Sequence, residues 1–165
     1  VNAIADVIAH NDDGNSDTPT PPRMFTLRRT GRKAVKFSGW QMVEAAGAGE
    51  TAPMWYDLSL YRSDSHQVIV ELVARRRQLD EQDLCRVEIF DTLHAASAWL
   101  ENYACANDVP VPASLLDGAA CMATAVLHAV QLRQRIARIG DEFHSLLSDV
   151  FEVMDVTESV PDSLS

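Results

Sequence analysis

The sequence predicts an α+β fold: an antiparallel β-meander with one covering helix, followed by a C-terminal helical hairpin or a single long helix. Three observations carry this. Between residues 25 and 90, short runs alternate apolar and polar residues and are separated by turn-forming residues, which is the signature of sequential half-buried strands. At Leu93 the apolar spacing changes to i, i+3, i+4. Beyond Pro112 that helical spacing continues to about Asp155 with no return to alternation.

The strands follow in order. Phe25 and Leu27 alternate with polar neighbours, Thr30-Gly31 supplies a turn, and Ala34-Val35-Lys36-Phe37 forms the second strand. Gly39-Trp40-Gln41-Met42-Val43 extends it after a bulge at the glycine. Residues 45–53 are small and aperiodic and read as a loop. Tyr56, Leu58 and Leu60 then fall on one strand face, with Trp55, Asp57, Ser59 and Tyr61 on the other. After the turn Ser63-Asp64-Ser65-His66, the β-branched run Val68-Ile69-Val70 marks the next strand. Leu84 to Phe90 closes the series, with Cys85, Val87 and Ile89 alternating against Arg86 and Glu88.

Asp91 or Thr92 can cap the covering helix, whose stripe is Leu93, Ala96, Leu100 and Tyr103 with Trp99 beside it. Asn107-Asp108-Val109-Pro110-Val111-Pro112 breaks the chain, because proline disfavours helix at the residue before it. Farther on, Ala119, Met122, Val126, Ala129, Ile136, Phe143, Leu147, Val150 and Met154 fit alternating three- and four-residue steps. Gly140, which costs ~1 kcal/mol in a helix interior, can divide this element in two. The expected organisation is a flexible arm and linker over 1–23, a meander domain over 24–108, a helical association region over 109–156 and a frayed tail over 157–165.

Net charge is −10 and unevenly spread: −3 over residues 1–23, +4 over 24–77 and −11 over 78–165. No apolar run approaches the ~20 residues that span a bilayer, so no membrane contact is expected. Cys85, Cys105 and Cys121 are an odd number without close spacing, so no disulfide framework and a cytoplasmic location are expected. No phosphate-cradling, nucleophile-elbow or zinc-helix motif occurs. His10, His66, His94, His128 and His144 lack a histidine or cysteine one helical turn away, so neither metal nor cofactor is expected. Cys85 and Cys121 read as small core residues, and Cys105, at a helix end, as the one with potential reactivity.

Without a nucleophile, base and charge stabiliser at convergent spacing, the sequence predicts no enzyme but a binding or regulatory protein working through protein–protein contacts. The surplus of apolar residues after Pro112 predicts a homodimer, with Phe143, Leu147, Val150 and Met154 in self-association. An alternative is nucleic-acid association through Arg28, Arg29, Arg32, Lys33 and Lys36, whose basic hairpin has aromatic neighbours. A further one is an acidic inhibitor of a nucleic-acid-binding complex, of the counter-defence type, using the fifteen acids of residues 78–165.

Overall fold

Alternation and turn chemistry between residues 23 and 90 produce five strands in the computed structural model, which describes residues 20–47, 49, 52–77, 81–119 and 121–158. They are β1 (Arg23–Arg29), β2 (Arg32–Ala46), β3 (Met54–Ser63), β4 (Val68–Arg76) and β5 (Leu84–Phe90). Each pairs antiparallel with the next, giving the order β1-β2-β3-β4-β5. Helix α1 (Leu93–Glu101), a 3₁₀ turn (Cys105–Asp108), the single-turn α2 (Ala113–Leu116) and α3 (Met122–Glu158) follow. The fold is therefore α+β, an antiparallel meander with a covering helix and one long C-terminal helix. Of the arm expected over 1–23, residues 1–19 lie outside the described residues and Arg23 already belongs to β1; of the tail expected over 157–165, residues 157–158 continue α3 and the rest lie outside the described residues.

Two details of β2 depart from the expectation. The strand runs on to Ala46, with Ala45 buried, where a loop was expected. The bulge lies at Met42, the residue passed over between the pairs Gln41–Tyr61 and Val43–Leu60. Gly39 serves close strand approach instead. A Cβ there would lie 2.1 Å from the carbonyl oxygen of Arg62, so only glycine allows β2 to come this near to β3. Because side chains alternate with period two, the extra residue reverses the facing of β2 along its length. Phe37 before it packs on one sheet face, and Val43 and Ala45 after it pack on the other.

The sheet thus carries two cores. One face holds Leu27, Tyr61, Ile69 and Val87, with Phe25, Val35 and Phe37 against them. Phe25 and Phe37 stack at 5.2 Å, and Tyr61 meets Phe37 edge-on at 5.5 Å. That Leu27 of β1 and Val87 of β5 share this cluster shows that the sheet curls until its end strands meet. Thr30, in the β1–β2 turn with Gly31 at φ 70°, fastens the closure: its N–H donates to the Cys85 carbonyl and its Oγ1 accepts from the Cys85 N–H, both at 2.8 Å.

The other face is covered by helices. Tyr56, Leu58, Leu60, Val68, Val70 and Leu72 pack against Ala96 and Leu100 of α1 and against Ile139, Phe143, Leu146, Leu147, Val150 and Met154 of α3. Thr92 is the N-cap of α1, its Oγ1 accepting from Ala95 N–H. Helix α3 is unbroken through Gly140, so the hairpin alternative does not occur. Its 37 residues extend ~55 Å at 1.5 Å per residue. Burial on the sheet begins at Ile139, and the buried neighbours on either side of Gly140 outweigh its poor helix propensity. The preceding half of α3 overhangs the sheet. Its later part still leans on the core through Leu132 and Ile136, while α2 runs beside its first turns, with Ser114 Oγ hydrogen-bonded to His128 Nδ1.

Candidate interaction surfaces

Asp108 is the most buried charged side chain described, at 1% exposure, and three strands and the loop after α1 converge on it. Tyr56 Oη of β3 (2.8 Å) and Tyr103 Oη (2.5 Å) donate to its Oδ2, while Arg86 Nη2 of β5 donates to Oδ1 at 2.5 Å. Arg76 Nη2 of β4 donates to the Asp108 carbonyl at 2.8 Å. Arg86 also sits 5.7 Å from the Tyr103 ring centre, a cation–π contact. Burial, with the neighbouring Cys105 and Asp108, holds the Tyr56 hydroxyl protonated far above its ordinary range. The same burial pushes the Cys105 thiol up to about 11. Both Asp108 oxygens are occupied by the chain's own donors, so the cluster braces the sheet against the segment after α1, while Arg76 Nε is buried with no hydrogen-bond partner among the described residues. Nothing in the sequence marked Asp108 beyond its place in a proline-flanked break, because three of its four partners come from strands 22 to 52 residues away and only Tyr103 is local.

The cysteine expectations are reversed at two positions. Cys105, singled out for potential reactivity, is buried and held in the thiol form, since the 3₁₀ turn tucks it under the core. Cys121, expected to be buried, is exposed just before α3. The amides of Ala123 and Thr124, unpaired at the helix start, lower its thiol pKa. Cys85 is half-buried at the β1–β5 closure. Among the described residues no group of three His, Cys, Asp or Glu could hold a metal ion. No helix described is long and apolar enough to cross a membrane.

The five basic residues of the hairpin are brought together at one end of the sheet. Arg28, Arg32, Lys33 and Lys36 are exposed and Arg29 is half-buried. None forms an ion pair with another described residue. By contrast, Arg75 of β4 is locked between Asp57 and Asp83 at 2.6 and 2.8 Å. Arg29 and Arg32 line a shallow cleft of about 160 Å³ with Arg86 and Glu88. The aromatic neighbours disperse: Tyr56 and Tyr61 are buried on opposite sheet faces, Trp55 is half-buried and Trp40 is partly open. There is a basic tip here but no aromatic platform beside it.

The four residues expected in self-association belong to the chain's own core. Phe143, Leu147, Val150 and Met154 are each at most 6% exposed, seated on the sheet. The open apolar surface lies on the overhang instead: Met122 is 78% exposed, Val126 56%, Leu127 54% and Val130 50%, and Leu116 of α2 is 77% exposed. Met122, Val126 and Val130 succeed one another at four-residue steps on a face ~100° around the helix from the core stripe. The core stripe itself continues along the overhang as the half-buried Ala125, His128, Leu132 and Ile136. After Gly140 the second face turns polar, with Asp141, His144, Ser145, Ser148, Glu152 and Asp155 exposed.

Charge divides at the same point. From residue 118 to residue 140 there are three arginines, Arg133, Arg135 and Arg138, and no acid. From Asp141 to Glu158 there are six acids and no lysine or arginine. Where the overhang leaves the sheet, a cleft of about 470 Å³ opens between Ala52-Pro53-Met54 and Gln131, Gln134, Arg135 and Arg138. Arg138 is partly neutralised by Glu142 one turn on, at 2.9 Å. The arm therefore offers aliphatic side chains at its tip and, at its root, Arg133 and Arg135, which form no ion pair with another described residue, beside the paired Arg138. Comparison of the chain with family models, with curated proteins and with solved structures finds no match.

Proposed function

We propose that this chain is a non-enzymatic binding or regulatory protein that works through protein–protein contacts made by the arm formed by α2 and the overhanging half of α3. The observation that supports it is the apolar face Met122, Val126, Leu127 and Val130, which is at least half exposed in every member and is confined to the part of α3 that covers no sheet. A helix that merely capped the fold would carry one apolar stripe; a second stripe open to water is costly unless something covers it. The polar cluster at Asp108 fits the same reading, since its hydrogen bonds are spent on joining elements.

A second reading, contact with nucleic-acid phosphates, is favoured by the five hairpin cations, which have no ion-pair partners among the described residues. One experiment separates the two. The tagged full chain, a Val126→Glu/Val130→Glu variant and an Arg28→Glu/Arg32→Glu/Lys36→Glu variant are each used for capture from native lysate, with protein and nucleic acid quantified. The expected result is loss of bound protein in the arm variant alone. Loss of nuclease-sensitive material in the hairpin variant alone, with a steep salt dependence of capture, would replace the first reading by the second.

A further inference from the structure

We infer that the cleft at the β1–β2 turn is a seat for one phosphate group, free or as the terminal monoester of a larger molecule, held by Arg29 and Arg32 against β5. The inference is independent of the arm, and it asks more of the basic tip than a diffuse attraction for polyanions.

Three observations converge on it. The first is the register of the hairpin. Arg29 and Arg32 are direct cross-strand partners on either side of Thr30-Gly31. Like charges set directly opposite one another destabilise a strand pair. Guarding a sheet edge against strand addition asks for an exposed charge, not for two that face each other.

The second is the missing counter-ion. The chain has 24 acids against 14 lysines and arginines, yet neither Arg29 nor Arg32 forms an ion pair with another described residue. Asp83 lies beside the turn, its carbonyl accepting from Thr30 Oγ1 at 3.4 Å. Its carboxylate is taken instead by Arg75 Nη1 at 2.8 Å and by the Arg76 N–H at 3.1 Å. Glu88 lines the cleft but pairs with neither arginine.

The third is the shape of the site. Both arginines line the cleft of about 160 Å³, whose opposite wall is β5 from Leu84 to Glu88. That is room for ~five waters at ~30 Å³ each, enough for one tetrahedral oxyanion but not for a nucleoside or peptide attached to it. Turn and wall are fixed to each other beforehand, because Thr30 holds the Cys85 carbonyl and N–H, each at 2.8 Å. Preorganised donors lose little freedom on binding. Each guanidinium presents a planar fork of N–H groups that matches two oxyanion oxygens. A phosphate monoester, with three acceptor oxygens and a charge of about −1.5 to −2, can engage both forks where a carboxylate has only two oxygens to share. Its charge turns the repulsion between Arg29 and Arg32 into two attractions.

Thermal unfolding of the purified full chain, followed by tryptophan fluorescence during a titration with sodium phosphate, tests this. Ionic strength is held constant with sodium chloride. The expected result is a saturable rise in melting temperature, since a ligand that binds only the folded state stabilises it. In chloride alone, Arg32→Gln should melt slightly above the parent because the like-charged pair is gone; in saturating phosphate it should melt below it. The apparent dissociation constant for phosphate should rise at least ~tenfold in Arg32→Gln and fall in Glu88→Gln, while Arg133→Gln on α3 should match the parent. No rise with phosphate, or a rise that Arg32→Gln shares in full as a general salt effect, overturns the inference. A short 5′-phosphorylated thymidine oligonucleotide and its unphosphorylated twin distinguish the sources. A larger, Arg32-dependent shift from the phosphorylated strand supports a terminal monoester, and a shift from inorganic phosphate alone supports the free ion. Equal shifts from the two strands with none from phosphate would leave the hairpin a diffuse polyanion surface and sink the seat.

Discussion

Single side chains in this molecule are governed by where the backbone leaves them, and the cysteines show it most directly. Cys105 lies among Tyr56, Asp108 and the sheet, where desolvation disfavours the thiolate and the pKa rises to about 11. Cys121 meets open water and two free helix-start amides, which favour the thiolate. Native protein treated with iodoacetamide near neutral pH should therefore be modified first at Cys121 and last at Cys105. Cys105 should become reactive only when denaturant opens the core. Peptide mass spectrometry over a time course reads the order, and equal rates at the two sites would contradict the burial of Cys105. The sequence misplaced both for one physical reason. Burial of a lone residue depends on which element packs over it, and neither the 3₁₀ turn at Cys105 nor the late start of α3 leaves a periodic signal.

At the scale of elements, α3 joins a packed half to an exposed one, with Gly140 at the junction. A Cβ at Gly140 would meet nothing within 4 Å, and the backbone there is helical. Gly140→Ala should accordingly stabilise the protein by ~0.5–1 kcal/mol through helix propensity alone, read as a raised midpoint in urea with an unchanged slope. A lower midpoint would mean that the glycine serves a close approach from another chain. Strand order, the faces of β3, the Thr92 cap and the covering role of α1 were all legible in the sequence, because period-two alternation and capping chemistry are local. The buried face of α3 was only half legible. A 3.5-residue seam drifts ~20° per heptad on a straight helix. Over the four heptads from Met122 to Val150 the drift is ~80°, so residues that share the seam part company. Val150 packs on the sheet and Met122 faces water. The Met42 bulge was misassigned to Gly39 because a glycine in a strand marks a bulge or a close approach equally well, and only the Arg62 carbonyl decides.

For the molecule as a whole, sheet and helices are held together by two unlike joints: the apolar face under α1 and α3, and the polar knot at Asp108. The knot is the more fragile. Removing its carboxylate leaves two tyrosine hydroxyls and part of a guanidinium facing an empty buried site. Asp108→Ala should cost ~3 kcal/mol, at the low end for a broken buried pair because Arg86 stays 43% exposed and partly solvated. Asp108→Asn, which keeps one acceptor, should cost less. Thermal unfolding followed by circular dichroism would show the difference, and equal melting temperatures for Asp108→Ala and the parent would remove the brace from the account. The fastening of Thr30 to Cys85 has a consequence of another kind, in the order of assembly. Every strand pairs with its neighbour in sequence, so each hairpin closes a short loop and can zip onto the one before it. The Thr30–Cys85 bonds span 55 residues and the seating of α3 spans more, so both closures wait until most of the sheet exists. Until those ends meet, β1 and β5 stand apart with their strand edges open along their full length. The interval before that last step is when a newly made chain is most exposed to joining the wrong neighbour.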